Sequence, residues 1–331
     1  MASAGWPAGS TEGRKEAALD EIEPDDHEIT PVHRAVMPSE VLHWLDPKAG
    51  GIYVDGTAGA GGHSCLIAEK VGPTGRVIGL DRDAAMLALA RNTASEHGVS
   101  LDLHQSSYAD AGAVLERLGI DHVDGFLVDL GLSSDQLAWG DRGFSFQGDG
   151  PLDMRFDISG DRPTAAEIVN EWTETELADI FWKYGEERHS RRLARAVAER
   201  RRTDLFETTA DFAAVIRRAM PGPRGKIDPC TRVFQALRIA VNDELGELER
   251  LLEQVHEWVK PDGRFVVISF HSLEDRMVKH ALREHPAWEV LTKKVVIAAD
   301  PEQAENPRSR SAKLRAARRR PEPEQSGERN S

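Results

Sequence analysis

The chain has 331 residues, 40% of them hydrophobic and 30% charged, with a formal net charge of −14. That composition describes a soluble globular protein with one large domain or a core and a smaller companion, and no apolar run approaches the roughly 18 residues a membrane helix needs. The start of the chain lacks a basic segment leading into an apolar stretch, so the cytosol is the default compartment, and the two cysteines, Cys65 and Cys230, cannot build a disulfide framework or a four-ligand zinc site.

Taken in order, residues 1–30 are poor in apolar side chains and rich in Glu and Asp, which predicts a disordered acidic extension. Val36, Val41, Leu42 and Leu45 carry helical spacing, ended by Asp46-Pro47. Short apolar strands then alternate with helices: strands at 52–55, 76–80, 101–105 and 123–130, helices at 63–70, 84–97 and 109–118. The alternation predicts an α/β fold, a mostly parallel sheet with helices on both faces. Helical patterns replace it over 138–232, predicting an inserted helical subdomain for substrate recognition, with 31–137 and 233–300 forming a discontinuous core. A helical stretch over 233–259, with a break left open, leads to a last strand at 264–270. The region 301–331 reads as a basic tail, partly disordered, in which Arg308, Arg310, Lys313, Arg315, Arg318, Arg319 and Arg320 run without an intervening acid.

Chemistry concentrates at the first strand and turn, Gly51-Ile-Tyr-Val-Asp55-Gly-Thr-Ala-Gly59-Ala-Gly61-Gly62-His63-Ser64, and at Val77-Ile-Gly-Leu-Asp81. A glycine turn lets the backbone approach a ligand closely, the following helix offers unpaired N–H groups, and an acid about twenty residues on can accept from both ribose hydroxyls. This is a nucleoside-cofactor pattern. Asp55 entering the turn repels a pyrophosphate and suits a cation, which favours S-adenosylmethionine over a dinucleotide. The fourth strand ends in Asp129, and in open α/β sheets ligands sit at the carboxyl ends of strands. Asp55, Asp81 and Asp129 are therefore expected in one crevice.

Further strings carry a family resemblance: Asp129-Leu-Gly-Leu-Ser133-Ser134-Asp-Gln136, Arg142-Gly-Phe-Ser-Phe146, Asp149-Gly-Pro-Leu-Asp153-Met154-Arg155, Tyr184-Gly-Glu-Glu-Arg188, Ile268-Ser-Phe-His271-Ser-Leu-Glu274, and Asn306-Pro-Arg-Ser-Arg310-Ser311. Over residues 33–320 the chain resembles the bacterial ribosomal RNA small subunit methyltransferase H family. The resemblance implies a class I S-adenosylmethionine-dependent methyltransferase fold (Rossmann-like) that methylates the exocyclic N4 of a cytidine in the decoding region of small-subunit (16S) rRNA. It carries cofactor positions onto Gly61, Gly62, His63, Asp81, Tyr108, Asp129 and Gln136, to which the turn itself adds Asp55 and Gly59. Ala35, Ala58, Asp135 and Asp228 depart from the family's usual residues, and none of them is a cofactor carboxylate or glycine.

For catalysis, Asp129, Asp153 and His271 are the candidates: Asp129 and His271 stand at strand ends and Asp153 in a polar turn. Trp139, Phe144 and Phe146 are candidates to stack on a target base. The basic clusters 188–202 and 308–320 are expected to contact RNA phosphates. No metal ligand cluster is expected, and a homodimer is left open. Two competing functions share parts of this pattern. A nicotinamide-dependent oxidoreductase needs room for a pyrophosphate; a non-catalytic RNA-binding assembly factor would have no use for the intact set of acids and glycines.

Overall fold

The computed structural model describes residues 35–220 and 228–321. The acidic extension expected at 1–30 and the end of the basic tail at 322–331 lie outside these residues.

The first half alternates as its apolar runs dictate: α1 (Pro38–Leu45), β1 (Ile52–Asp55), α2 (Gly62–Val71), β2 (Arg76–Asp81), α3 (Ala84–His97), β3 (Asp102–Gln105), α4 (Ala111–Arg117), β4 (Val123–Asp129) and the short α5 (Ser134–Ala138). Helices α6 (Ala165–Glu171), α7 (Glu174–Lys183), α8 (Ser190–Arg200), α9 (Thr209–Ala219) and α10 (Pro229–Asn242) follow. Then come α11 (Glu244–Trp258), β5 (Val259–Ser269), α12 (Ser272–Glu284), β6 (Trp288–Val290), α13 (Asp300–Glu305) and β7 (Lys313–Arg319). The strands form one sheet in the order β3-β2-β1-β4-β5-β7-β6. β1 to β5 are parallel, and β7 runs antiparallel to both its neighbours. Both faces are covered. One buries Phe126, Leu248, Val255 and Phe265, the other Val41, Leu45, Ile67 and Val266.

A separate apolar cluster joins Phe144, Leu152 and Met154 to Phe181, Leu193, Phe212, Phe234 and Leu237. Helix α10 contributes to this cluster through Cys230, Val233, Ala236 and Val241, so the helical unit extends past the boundary expected at 232. The chain leaves it at Asp243, whose φ of 52° breaks the long helical stretch into α10 and α11. Leu248, Leu251 and Val255 of α11 then pack on the sheet.

The basic run is corrected most. Instead of a solvated tail, residues 313–319 form β7, inserted between β5 and β6. Leu314, Ala316 and Ala317 are buried. The charges are used locally: Arg315 donates to Asp275 at 2.7 Å, Arg318 to Glu289 at 3.0 Å, Arg319 to the His256 carbonyl at 2.8 Å and Arg320 to the Trp288 carbonyl at 2.9 Å.

Candidate functional site

The carboxyl ends of β1, β2 and β4 meet at one cleft, because adjacent parallel strands stand in near register: Asp55 lies beside Gly79 and Leu127. The cleft is lined at its base by Gly56–Gly59, Gly62, His63 and Asp129, on one side by Asp81, Met86, Ser133 and Gln136, and on the other by Tyr108, Leu248 and Glu274. Asp55 is fully buried below the turn. Its carboxylate accepts from the Thr57 N–H at 3.2 Å and the Ser64 hydroxyl at 2.6 Å, and so shapes the turn from beneath. Burial holds its carboxyl above the usual range, against the pull of His63.

Gly61 sets the entry to α2. Its φ is 90°, and a Cβ there would lie 3.1 Å from the Ala90 backbone. Both conditions select glycine. G61A is expected to destabilise the fold by about 2 kcal/mol and to weaken cofactor binding; urea denaturation and a cofactor titration measure the two effects.

Asp81 accepts from the Gly59 N–H at 2.9 Å and the Asp83 N–H at 2.8 Å, so it fixes both the glycine turn and its own loop. Burial nevertheless pushes its carboxyl up to about 7. Asp83 caps α3 and accepts from Gln136 Nε2 at 3.0 Å and Arg142 Nη1 at 3.2 Å. Gln136 is itself held in a reciprocal capping pair with Ser133. Arg142 donates onward to the carbonyls of Arg155 and Phe156 at 2.7 and 2.9 Å. One chain of hydrogen bonds thus runs from the cleft into the helical unit.

The side facing Asp81 is built by α11 and α12. Tyr108 lies over Gly56, where a Cβ would come within 2.8 Å of the Tyr108 Cβ, and its hydroxyl reaches the Glu244 carbonyl at 3.5 Å. Burial raises the Tyr108 phenol well above its usual value, so it stays neutral. Glu244 is paired with Arg238 through contacts of 2.7 and 2.8 Å. Glu274 accepts from the backbone N–H groups of Phe270 and His271 at 2.9 and 3.2 Å, and its other oxygen lies 3.0 Å from His271 Nε2. Burial opposes its ionisation, but His271 and Arg238 hold its carboxyl below the usual range.

Asp129 occupies the centre. Its backbone N–H donates to the Thr57 hydroxyl at 2.6 Å, and its Oδ2 lies 3.6 Å from His63 Nε2. Among the described residues its Oδ1 is buried without a hydrogen-bond partner, as are both ring nitrogens of His63. Burial disfavours the His63 imidazolium, but Asp129 and Asp55 outweigh it and raise its pKa. A buried polar atom left unpaired is costly and marks a place where a ligand group belongs.

Comparison with known proteins settles the family. The model of the MraW methylase family matches residues 30–320. The chain belongs to the MraW methylase family. A protein named Ribosomal RNA small subunit methyltransferase H from Nitratidesulfovibrio vulgaris is 46% identical, covering 94% of this chain and 88% of its own. A protein of the same name from Synechocystis is 50% identical, covering 86% and 92%, and one from Sorangium cellulosum is 50% identical, covering 87% and 90%. The sheet and its helices are those of a class I S-adenosylmethionine-dependent methyltransferase, and S-adenosylmethionine is the cofactor of the family.

The residues of this methylase suit that cofactor. The turn is close-packed glycine, the unpaired atoms are a carboxylate oxygen and an imidazole, and an acid closes the second strand. A pyrophosphate would meet the Asp129 carboxylate at the turn, with the Asp55 carboxyl buried just beneath, which speaks against the nicotinamide alternative.

Of the catalytic candidates, the structure brings only Asp129 to the cleft lining. Asp153 is turned to Arg155, which donates to it from the backbone at 3.0 Å and from the guanidinium at 2.9 and 2.8 Å. Burial opposes its ionisation, but these contacts hold its carboxyl below the usual range. His271 caps α12 and braces Glu274. Phe144 stacks on Phe156 and Phe146 packs edge-on to Phe234, inside the helical unit. Trp139 packs against Ala60, Met86 and Leu89. Sequence reasoning missed Arg82, Phe156, Glu244 and Glu274 as lining residues. Arg82 stands 5.8 Å from the Phe156 ring and donates to the Asn242 carbonyl, and the Asn242 side chain accepts from the Phe156 N–H. Cys65 and Cys230 are buried thiols, pushed up by burial to about 11 and about 12.

Among the described residues no helix is long and apolar enough to cross a membrane.

Proposed function

We propose that this chain methylates the exocyclic N4 of a cytidine in the decoding region of small-subunit rRNA, in the cytoplasm, with Asp129 as the residue that meets the acceptor amine. The observation that carries the reading is the buried Oδ1 of Asp129, without a hydrogen-bond partner among the described residues, in the lining of a cleft that suits S-adenosylmethionine. The near-full-length likeness to proteins named for small-subunit rRNA methylation supports the substrate.

In this reading the N–H groups at the start of α2 and the His63 imidazole receive the carboxylate end of the cofactor, and Asp81 accepts from the ribose hydroxyls. Tyr108 and Gln136 flank the adenine. When bound, S-adenosylmethionine supplies an electrophilic methyl group on a sulfonium. The chain's own task is to position the acceptor nitrogen in line, about 3 to 3.5 Å from the methyl carbon. Cytosine N4 is a poor nucleophile because its lone pair is delocalised into the ring. An acceptor oxygen at one of its N–H groups favours rehybridisation and then takes the surplus proton. Asp129 Oδ1 is that oxygen, and its Oδ2 faces His63. The base must be unpaired or flipped out to reach it.

Transfer of labelled methyl from S-adenosylmethionine to isolated small ribosomal subunits tests the reading. Label in small-subunit rRNA, and none in large-subunit rRNA, is expected; a chain that binds the cofactor and labels neither would be an assembly factor instead.

A further inference from the structure

The net charge of −14 leaves open how this protein holds a polyanion. Beside the basic run that ends in β7, the second basic cluster is α8 and the loop before it. Its charges divide into two groups. Arg200 pairs with Asp211 at 2.8 Å, Arg201 donates to the Val169 carbonyl at 2.7 Å, and Arg195 lies 3.5 Å from Glu174. Arg188, Arg191 and Arg192 are exposed and form no ion pair among the described residues.

These three share one end of a helical hairpin with an exposed aromatic ring. Trp182 stands in the last turn of α7, which packs against α8, and Arg188, Arg191 and Arg192 stand in the connecting loop and the first turn of α8. The Trp182 side chain is 57% exposed and makes no ring contact among the described residues. The nearby acids are already matched: Asp179 lies 3.6 Å from Lys183, and Glu186 accepts from the Ser272 hydroxyl at 2.5 Å and faces Arg276 at 3.4 Å. That Glu186 contact also joins the loop to the first turn of α12, whose Glu274 lines the cleft.

We propose that Trp182 with Arg188, Arg191 and Arg192 forms a docking surface for a single-stranded segment of the substrate RNA. Trp182 stacks on one base and the three guanidinium groups hold neighbouring phosphates. An exposed aromatic among unpaired cations is the arrangement that binds single strands, because every base has a face to stack and every nucleotide a phosphate. The inference rests on the rRNA reading above.

The test is binding of the full chain to an RNA covering the decoding region of small-subunit rRNA, measured across a range of KCl concentrations. W182A is expected to weaken binding about tenfold with the salt slope unchanged, since stacking is not ionic, while W182F retains most of the affinity. The triple variant R188Q/R191Q/R192Q is expected to make the slope of log K against log salt shallower by about 2. All variants should keep the wild-type melting temperature and cofactor affinity, because these residues lie outside the cleft. Unchanged affinity and slope in both variants, with wild-type protein still methylating rRNA, would overturn the surface and leave the function standing. Variants defective only on whole subunits would assign the surface to a protein neighbour and likewise overturn the RNA occupant. A wild-type chain that neither binds nor methylates RNA would remove the function first.

Discussion

D129N is expected to lower methyl transfer at saturating cofactor by about 10²- to 10³-fold while changing cofactor affinity by less than about tenfold. Asparagine keeps the shape of the side chain. The Asp129 N–H bond to Thr57 and the strand register therefore survive, and the change removes only charge and proton affinity. In the proposed mechanism those are the two properties used, because Oδ1 must accept from the amine and then hold its proton. The comparison variant is D153N, which loses a contact to Arg155 outside the cleft and should stay within about threefold of wild type. Single-turnover transfer on small subunits reads both. Turnover within threefold of wild type for D129N would remove Asp129 from the chemistry.

The second large effect is a pH dependence from Asp81. Its carboxyl titrates near 7 in the folded chain because it is buried, against about 3.9 in an unfolded one. Between these values the folded protein holds a proton that the unfolded chain has released. Stability from this group is therefore present at low pH and is lost as pH rises toward 7. Cofactor binding runs the other way, since the ribose hydroxyls donate to the ionised form. Affinity should strengthen about tenfold from pH 6 to pH 8 and level off above it, with proton release on binding near pH 7. D81N should bind about 10²-fold more weakly at pH 8, the value of hydrogen bonds to a charged acceptor, and show a much flatter profile. Asp55, raised in the same direction, is present in both proteins. Calorimetry at several pH values gives the affinities, and a profile equally steep in D81N would assign the titration to another group.

How much of this was legible in the sequence follows from where each residue sits. Asp55, Asp81 and Asp129 each end an apolar strand, and parallel strands in one sheet must bring such ends together, so Asp81 and Asp129 in the cleft lining could be read directly, while Asp55 is buried beneath the turn. Glu244, Glu274 and Phe156 could not. Their place depends on how α11, α12 and the 142–156 segment pack on the sheet, and no local pattern encodes that. Glu274 also disguised itself as an ordinary capping residue, a role it does fill beside His271. Asp153 looked available in a polar turn, whereas its partner Arg155 stands only two residues away. Strand β7 was missed because its arginines resemble a solvated tail. Their partners Asp275 and Glu289 lie far off in the sequence, and its buried positions are mostly alanine, a poor strand signal. Asp243 breaks the long helix by a positive φ at a residue that tolerates it better than most, without a glycine or proline to announce it.

The most direct measurement is the position of the methyl group itself: small-subunit rRNA from cells with and without this protein, digested and mapped nucleotide by nucleotide by mass spectrometry. One decoding-region cytidine should carry an N4-methyl group that disappears without the protein and returns with the wild-type chain but not with D129N. A methyl group lost instead from another base, another atom or another RNA would contradict the account.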